Sequence, residues 1–431
     1  MSILNLKTQE SYDDWGILNT GKTKKIVLGD KTIEYDVFKI PVDILVYNAS
    51  NGRIFIEAKR FENEEDTKLC DLKETNPEKF NEEVENIIWK TNEKENNRTK
   101  KDIAKYGQLD PGVVLEDGTI IDGNRRFTCI RKLHREQPDN DLYRYFEAAI
   151  VKVDGQNLTK KLLKEYEIKV QFGTDEKVDY NVINKNMHIY FAVEKDPNNN
   201  FNYSSMAELL GNDTTSGDVM KICKVCALVD EFLEYIGKPE EYQIAEDFNI
   251  YWPLEPLYSY FNNAGKNLSD LQKEQRKELF FDYLLTLNVA LPTQTLRDNL
   301  LKIVFKNEAA TDELIEKHKD AIGNDIANII SEHVSTDEFK DRIQNLKESE
   351  KSEEDLLHYQ NIVDSLKKKN LKDLPAKLAK DALTYISDIV LEPFFASSSE
   401  EAAAILAKVK EYLTKISEIT TRLLNDIEEH E

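Results

Sequence analysis

The residues best suited to chemistry lie between Asp122 and Arg135. Asp122-Gly123-Asn124-Arg125-Arg126 ends the apolar run Thr119-Ile120-Ile121 and opens a stretch in which Phe127, Ile130 and Leu133 recur every three residues, as on a helix face. A glycine at a strand-to-helix turn lets backbone N–H groups approach a ligand, and a helix start offers unpaired donors with a positive dipole. Arg125 and Arg126 add two guanidinium forks in that first turn, and Arg131, Lys132 and Arg135 follow. Five basic side chains thus stand against one acid, Asp122, between Ile121 and Arg135. Basic groups in a first turn oppose the helix dipole. Local physics leaves two readings, a bound anion or a solvated basic face.

The elements around this junction read from pattern. Gly107 closes a polar helix (Thr99–Tyr106), Pro111–Leu115 reads as a strand, and Glu116-Asp117-Gly118 is a hairpin turn returning through Thr119–Ile121. Upstream, Lys24–Ile40 alternates as a hairpin turning at Gly29-Asp30, and Ile40–Tyr47 reads as a strand leading to Asn51-Gly52-Arg53. Phe61–Lys100 is rich in Glu, Asn and Lys and reads as an insertion, partly helical and partly flexible. Downstream, Tyr145–Val153 is an expected strand and Asn157–Tyr166 a helix. Glu167–Phe172 is expected extended, and Val182–Val193 helical.

Other motifs weigh less. Gly16-Ile-Leu-Asn-Thr-Gly21-Lys22-Thr23 matches the phosphate-loop spelling, but no buried strand precedes it and a hairpin follows, so a chance match is expected. Ser204–Gly211 followed by Ser216–Lys221 resembles a helix-turn-helix whose second helix carries Thr214, Thr215, Ser216, Asp218, Lys221 and Lys224. That set is weakly basic and leaves a DNA reader and a structural helical hairpin both open. Cys223-Lys-Val-Cys226 has no second ligand pair, so core cysteines are expected in place of zinc ligands. The six histidines are scattered and form no nucleophile or metal pattern.

The sequence of helix, Gly107, Gln108 before Pro111, hairpin and Asp-Gly-x-Arg-Arg resembles the ParB/sulfiredoxin superfamily over about residues 35 to 195. The resemblance implies an α+β fold, a small mixed-sheet N-terminal domain followed by a large all-α region. It also implies a nucleoside triphosphate, CTP or ATP with Mg, whose phosphates meet Gly123, Asn124, Arg125 and Arg126. Arg53 in the Asn-x-Arg loop, and Gln171, Lys177 and Asn181 ahead of the Val182 helix, are the further phosphate contacts it suggests. Asn124 stands where partition proteins usually carry a Glu implicated in hydrolysis, so whether this chain hydrolyses a nucleotide is open. A ParB-like nuclease or hydrolase is the enzymatic alternative, with Asp122 its metal candidate. An acidic interaction scaffold without ligand is the structural one.

Composition bounds these readings. A chain of 431 residues allows two or three domains, read here as 1–195 (nucleotide domain with the 61–100 insertion), 203–240 (helix-turn-helix-like) and 241–431 (acidic, helical). A net charge of −23 repels nucleic acid and anionic membrane on average, so any DNA contact would use a local patch. Four cysteines suggest a reducing compartment, and no signal peptide or 18-residue apolar run is present, so a cytoplasmic protein without membrane contact is expected. Within 399–428 the stripe Ile405, Val409, Leu413, Ile416, Ile419, Leu423 and Ile427 suits a coiled coil with a homodimer mate or another protein, or packing on the chain's own helices. Relatives of the ParB module serve partition, plasmid maintenance and phage defence, and the resemblance implies a similar DNA-linked role in which nucleotide state controls association of the helical region.

Overall fold

The computed structural model describes residues 3–6, 12–29, 31–48, 52–152, 159–172, 182–198, 200–211, 213–286, 293–391 and 400–430. The fold is α+β, with a five-stranded mixed sheet near the N-terminus followed by helices. The chain divides into two compact units, Met1–Ile362 and Val363–Glu431.

Strands β1 (Leu18–Leu28), β2 (Lys31–Pro41), β3 (Gly112–Leu115), β4 (Ile120–Asp122) and β5 (Tyr145–Val151) lie in the order β1-β2-β5-β3-β4. All neighbours are antiparallel except β3 and β5. Period-two alternation sorts β5 onto two faces. Phe146, Ala148 and Ile150 join the larger core with Phe38, Ile40, Val114, Ile120 and Phe127. Ala149 and Val151 join the smaller one with Ile26, Leu28, Val113, Ile121 and Tyr166. The phosphate-loop spelling falls in β1, where Asn19 Oδ1 accepts from Gly21 N at 2.7 Å and the register slips between Asn19 and Thr23. A strand follows Lys22 and Thr23, so no helix start faces a phosphate there.

Helices α1 (Phe55–Glu65), α2 (Leu69–Thr75), α3 (Pro77–Thr91) and α4 (Glu93–Tyr106) cover the larger core. The 61–100 stretch is therefore helical nearly throughout and no appendage: Phe80, Val84 and Ile88 are buried one turn apart in the main core. Three of its polar residues, Asn81, Glu85 and Asn96, are themselves buried. Asn81 Oδ1 accepts from Tyr47 N at 3.0 Å while its Nδ2 donates to Leu45 O at 2.9 Å. Asn96 Nδ2 likewise donates to Ile88 O and Trp89 O. The expected Ile40–Tyr47 strand ends at Pro41, because Val42–Ile44 form a 3-10 turn before Val46 bridges Thr119. Glu167–Phe172 also departs from expectation. It continues α6 (Lys160–Phe172), since Tyr166 and Ile168 are buried without needing a strand partner.

The remaining helices are α5 (Asn124–Glu136), α7 (Val182–Tyr190), α8 (Tyr203–Leu210), α9 (Ser216–Tyr235), α10 (Tyr242–Asp247), α11 (Tyr251–Asn262), α12 (Asp270–Thr286), α13 (Thr293–Thr295, running into a wide turn at Leu296–Leu301), α14 (Glu308–His318), α15 (Asn324–Ser331), α16 (Thr336–Lys347), α17 (Glu350–Ser387) and α18 (Glu400–Glu428). Apolar residues at three-and-four spacing mark helices over 337–369 and 374–390, but a break at 348–349 separates α16 from α17, and α17 continues through Pro375. Ser397-Ser398-Ser399 precede Glu400 and Glu401 as an N-cap for the last helix would, and they lie outside the described residues. No described helix is long and apolar enough to cross a membrane.

A buried ionic group ties three of these helices together. His318 of α14 places Nε2 3.1 Å from Asp282 Oδ2 of α12 and Nδ1 3.1 Å from Asp355 Oδ1 of α17. Tyr235 of α9 donates to Asp282 Oδ1 at 2.8 Å. Burial alone would lower the His318 pKa, but the hydrogen bonds and charges of the two carboxylates outweigh it and raise it to about 9.

Candidate functional site

The β4–α5 junction forms as the sequence suggests. Gly123 caps α5 with φ +100°, a conformation costly for a side chain. A Cβ there would also sit 2.9 Å from Phe146 Cζ. Packing alone therefore accounts for the glycine. Phe127 one turn on stacks edge-to-face with Tyr47 and Phe146 (centroids 4.9 and 5.5 Å), which fixes how the helix leaves the sheet.

Each polar residue of the first turn is engaged by the protein. Asn124 is buried, and its Nδ2 donates to Ile120 O at 3.4 Å. Arg125 turns toward α4, its Nε donating to Asn96 Oδ1 at 2.9 Å. Arg126 faces the start of β3: Nη1 donates to Asp110 O and, at 2.6 Å, to Asp110 Oδ2, while Nη2 reaches both Asp122 oxygens at 3.3 and 3.2 Å. Lys24 of β1 completes this network, with Nζ 3.0 Å from Asp110 Oδ1, 3.7 Å from Asp122 Oδ2 and 2.6 Å from Pro111 O. Two cations and two carboxylates so form a closed, partly buried quartet. Asp122, the metal candidate, is held by Arg126 and Lys24, and among the described residues no group of three or more His, Cys, Asp or Glu side chains could hold a metal.

The second half of the basic run converges on one acid. Glu85 of α3, its side chain 3% exposed, lies 3.3 Å from Arg131 Nε and 3.9 Å from Lys132 Nζ and is also paired with Arg135. Arg131 stacks over Tyr47 and Phe127, and Lys132 over Trp89. Burial raises the Tyr47 pKa, helped by Glu85, and Tyr47 Oη shares a 2.9 Å hydrogen bond with Thr128 Oγ1. α5 thus uses these cations to dock on α3, α4 and the start of β3. Five of these cations (Lys24, Arg126, Arg131, Lys132 and Arg135) pair with the carboxylates of Asp110, Asp122 and Glu85.

Arg53 lies in the 3-10 turn Gly52–Ile54 and Gln171 in α6, but their side chains, and Lys177 and Asn181 entirely, lie outside the described residues. The structure does describe a buried polar group on α6 and the residues it meets. Asn48 Nδ2 donates to Glu167 Oε1 at 2.7 Å, Lys164 Nζ lies 3.5 Å from Glu167 Oε2, and Asn184 Oδ1 accepts from Ile56 N at 3.0 Å. Burial raises the Glu167 pKa, and burial with the Lys164 charge lowers that of His188 to about 3. None of these residues carries a sequence signal. Their meeting depends on α6 and α7 packing beside residue 48.

The helix-turn-helix-like pair forms as α8 and α9, but its lysines are paired with acids: Lys221 with Glu255, and Lys224 with Glu194 at 3.7 Å. Thr215 and Asp218 cap α9 reciprocally. Cys223 and Cys226 are fully buried on the apolar face of α9. No family model, curated protein or solved structure matches this chain.

Proposed function

We propose that the β4–α5 junction binds the phosphates of a nucleotide, as the ParB/sulfiredoxin resemblance suggests, with Gly123, Arg125 and Arg126 as the core of the site. The observation that supports it is the helix start itself: a glycine-capped N-terminus with two guanidinium groups in its first turn, inside a chain of net charge −23. The N–H groups of a first helical turn have no partner within their helix, and anions satisfy them. Binding would require Arg126 to exchange Asp110 and Asp122 for phosphate oxygens. CTP and ATP, each with magnesium, are the ligands to compare first, and a role in partition, plasmid maintenance or phage defence is the corresponding biological proposal.

One observation favours a second reading. Arg125 Nε and the Arg126 guanidinium already donate to protein acceptors, as they would in an interaction scaffold that has no ligand. Calorimetric titration of CTP, ATP, GTP and UTP with magnesium into the wild type and the Arg125→Ala/Arg126→Ala variant separates the two. Saturable binding of a nucleotide that is lost in the variant supports the phosphate site. No heat with any nucleotide refutes it and leaves the scaffold.

A further inference from the structure

We infer that the Asp110 carboxylate is an internal plug, an autoinhibitory contact that a nucleotide phosphate must displace from Arg126; this rests on the phosphate reading of the β4–α5 junction. Arg126 divides its guanidinium between two acids of different standing. Asp122 belongs to β4, one helical turn before Arg126, with its side chain 16% exposed. Asp110 lies in the loop between α4 and β3 with its side chain 55% exposed. Its Oδ2 nevertheless accepts from Arg126 Nη1 at 2.6 Å, and its Oδ1 from Lys24 Nζ at 3.0 Å.

The backbone beneath Asp110 is fixed, so its side chain is the part that moves. Gln108 Nε2 donates to Asp110 O at 3.1 Å and to Glu147 O at 2.7 Å, and Glu147 N donates to Gln108 Oε1 at 2.8 Å, which pins the loop to β5. Pro111 holds the residue before it to extended conformations. Gly112 then packs so closely on Phe146 and Asp122 O that no Cβ fits. Rotation of the Asp110 side chain alone returns its carboxylate to water and uncovers Arg126 Nη1 and Lys24 Nζ. Such an exchange is inexpensive, because an ion pair already half in water contributes little. The other acid keeps a partner throughout. Lys24 Nζ is anchored by Pro111 O at 2.6 Å and lies 3.7 Å from Asp122 Oδ2, so it still faces Asp122 when Arg126 turns to a phosphate. With Asp110 swung out, the neutral quartet becomes two cations against one acid, a set that attracts a polyanion. The plug acts as a competitor, and the apparent affinity falls by the fraction of molecules in which Asp110 is out.

Calorimetric titration of CTP and of ATP, each with magnesium, into the wild type, Asp110→Asn, Asp110→Ala and Asp110→Glu tests the plug. The two neutral replacements should tighten nucleotide binding about tenfold, whereas Asp110→Glu, which keeps the charge, should stay within about threefold of the wild type. The alanine variant covers the case in which the asparagine amide keeps the Arg126 contact. Glu147→Gln removes a nearby carboxylate that pairs with Lys22 and not with Arg126. It should shift affinity less than about twofold, which separates displacement from a general gain in positive potential. Binding by the wild type that neither neutral variant tightens overturns the plug and leaves the phosphate site standing. Equal tightening by Glu147→Gln and Asp110→Asn overturns it as well. Absence of binding in the wild type and the variants alike overturns the phosphate site itself, and the plug with it.

Discussion

Replacing His318 with glutamine tests the buried Asp282–His318–Asp355 group quantitatively. An imidazolium donates to both carboxylates at once, whereas a glutamine amide has no cationic charge to balance either. Moving a histidine from its ordinary 6.5 to about 9 corresponds to about 3.4 kcal/mol of preference for the charged form in the folded state. Because the folded pKa is the higher one, that stability is fully present below about pH 6.5 and is lost as pH rises through about 9. Linkage then gives about 2.6 kcal/mol at pH 7 and nearly nothing at pH 10. Urea unfolding followed by circular dichroism at intervals from pH 6 to 10 reads this directly when the variant is subtracted from the wild type. The gap between the two should narrow by about 3 kcal/mol across that range. A constant gap would refute the reasoning, because it would mean that His318 holds the same charge folded and unfolded throughout.

Glu85→Ala should destabilise the N-terminal unit by about 3 kcal/mol in urea unfolding, since it strands the cations that Glu85 gathers from α5. Gly112→Ala should cost about 1–3 kcal/mol. Its Cβ would lie 2.5 Å from Phe146 Cζ and 2.6 Å from Asp122 O, so adding Phe146→Leu should recover only part of the loss in the same measurement. Among the four thiols, Cys70 alone is exposed, and burial pushes Cys129 and Cys223 up to about 12. A chromogenic disulfide reagent should therefore titrate one thiol quickly in the native protein and four in denaturant.

The parts of the fold that sequence makes legible are those where local chemistry and tertiary packing agree. The hairpins, β5 and α5 follow from strict alternation, Asp-Gly turns and three-residue spacing. Residues 61–100 misled because Asn81, Glu85 and Asn96 look like surface residues, yet each is buried with partners supplied by distant backbone or by α5. Helices α10 and α11 escaped notice because Pro253 and Pro256 interrupt the helical pattern, although both fall inside α11. Pro375 likewise falls inside one helix, α17. At the junction, the Gly123 turn was legible, but the partners of its arginines were not. Asn96, Asp110 and Lys24 reach them from α4, from the loop before β3 and from the edge strand β1, and no spacing rule connects positions that far apart.

Several amide side chains in this chain serve as lengths of backbone. Asn81 takes one N–H and gives to one C=O, and Gln108 does the same on the edge of β5, accepting from Glu147 N at 2.8 Å and donating to Glu147 O at 2.7 Å. Only a carboxamide carries donor and acceptor side by side at that reach. An acid of the same shape would press its oxygens against a carbonyl, and a lysine would leave the N–H unmet. These positions therefore restrict which sequences can drift into this fold far more than their polar, surface-like appearance suggests. A homologue lacking Asn81 or Gln108 should be found to have rerouted the backbone they serve.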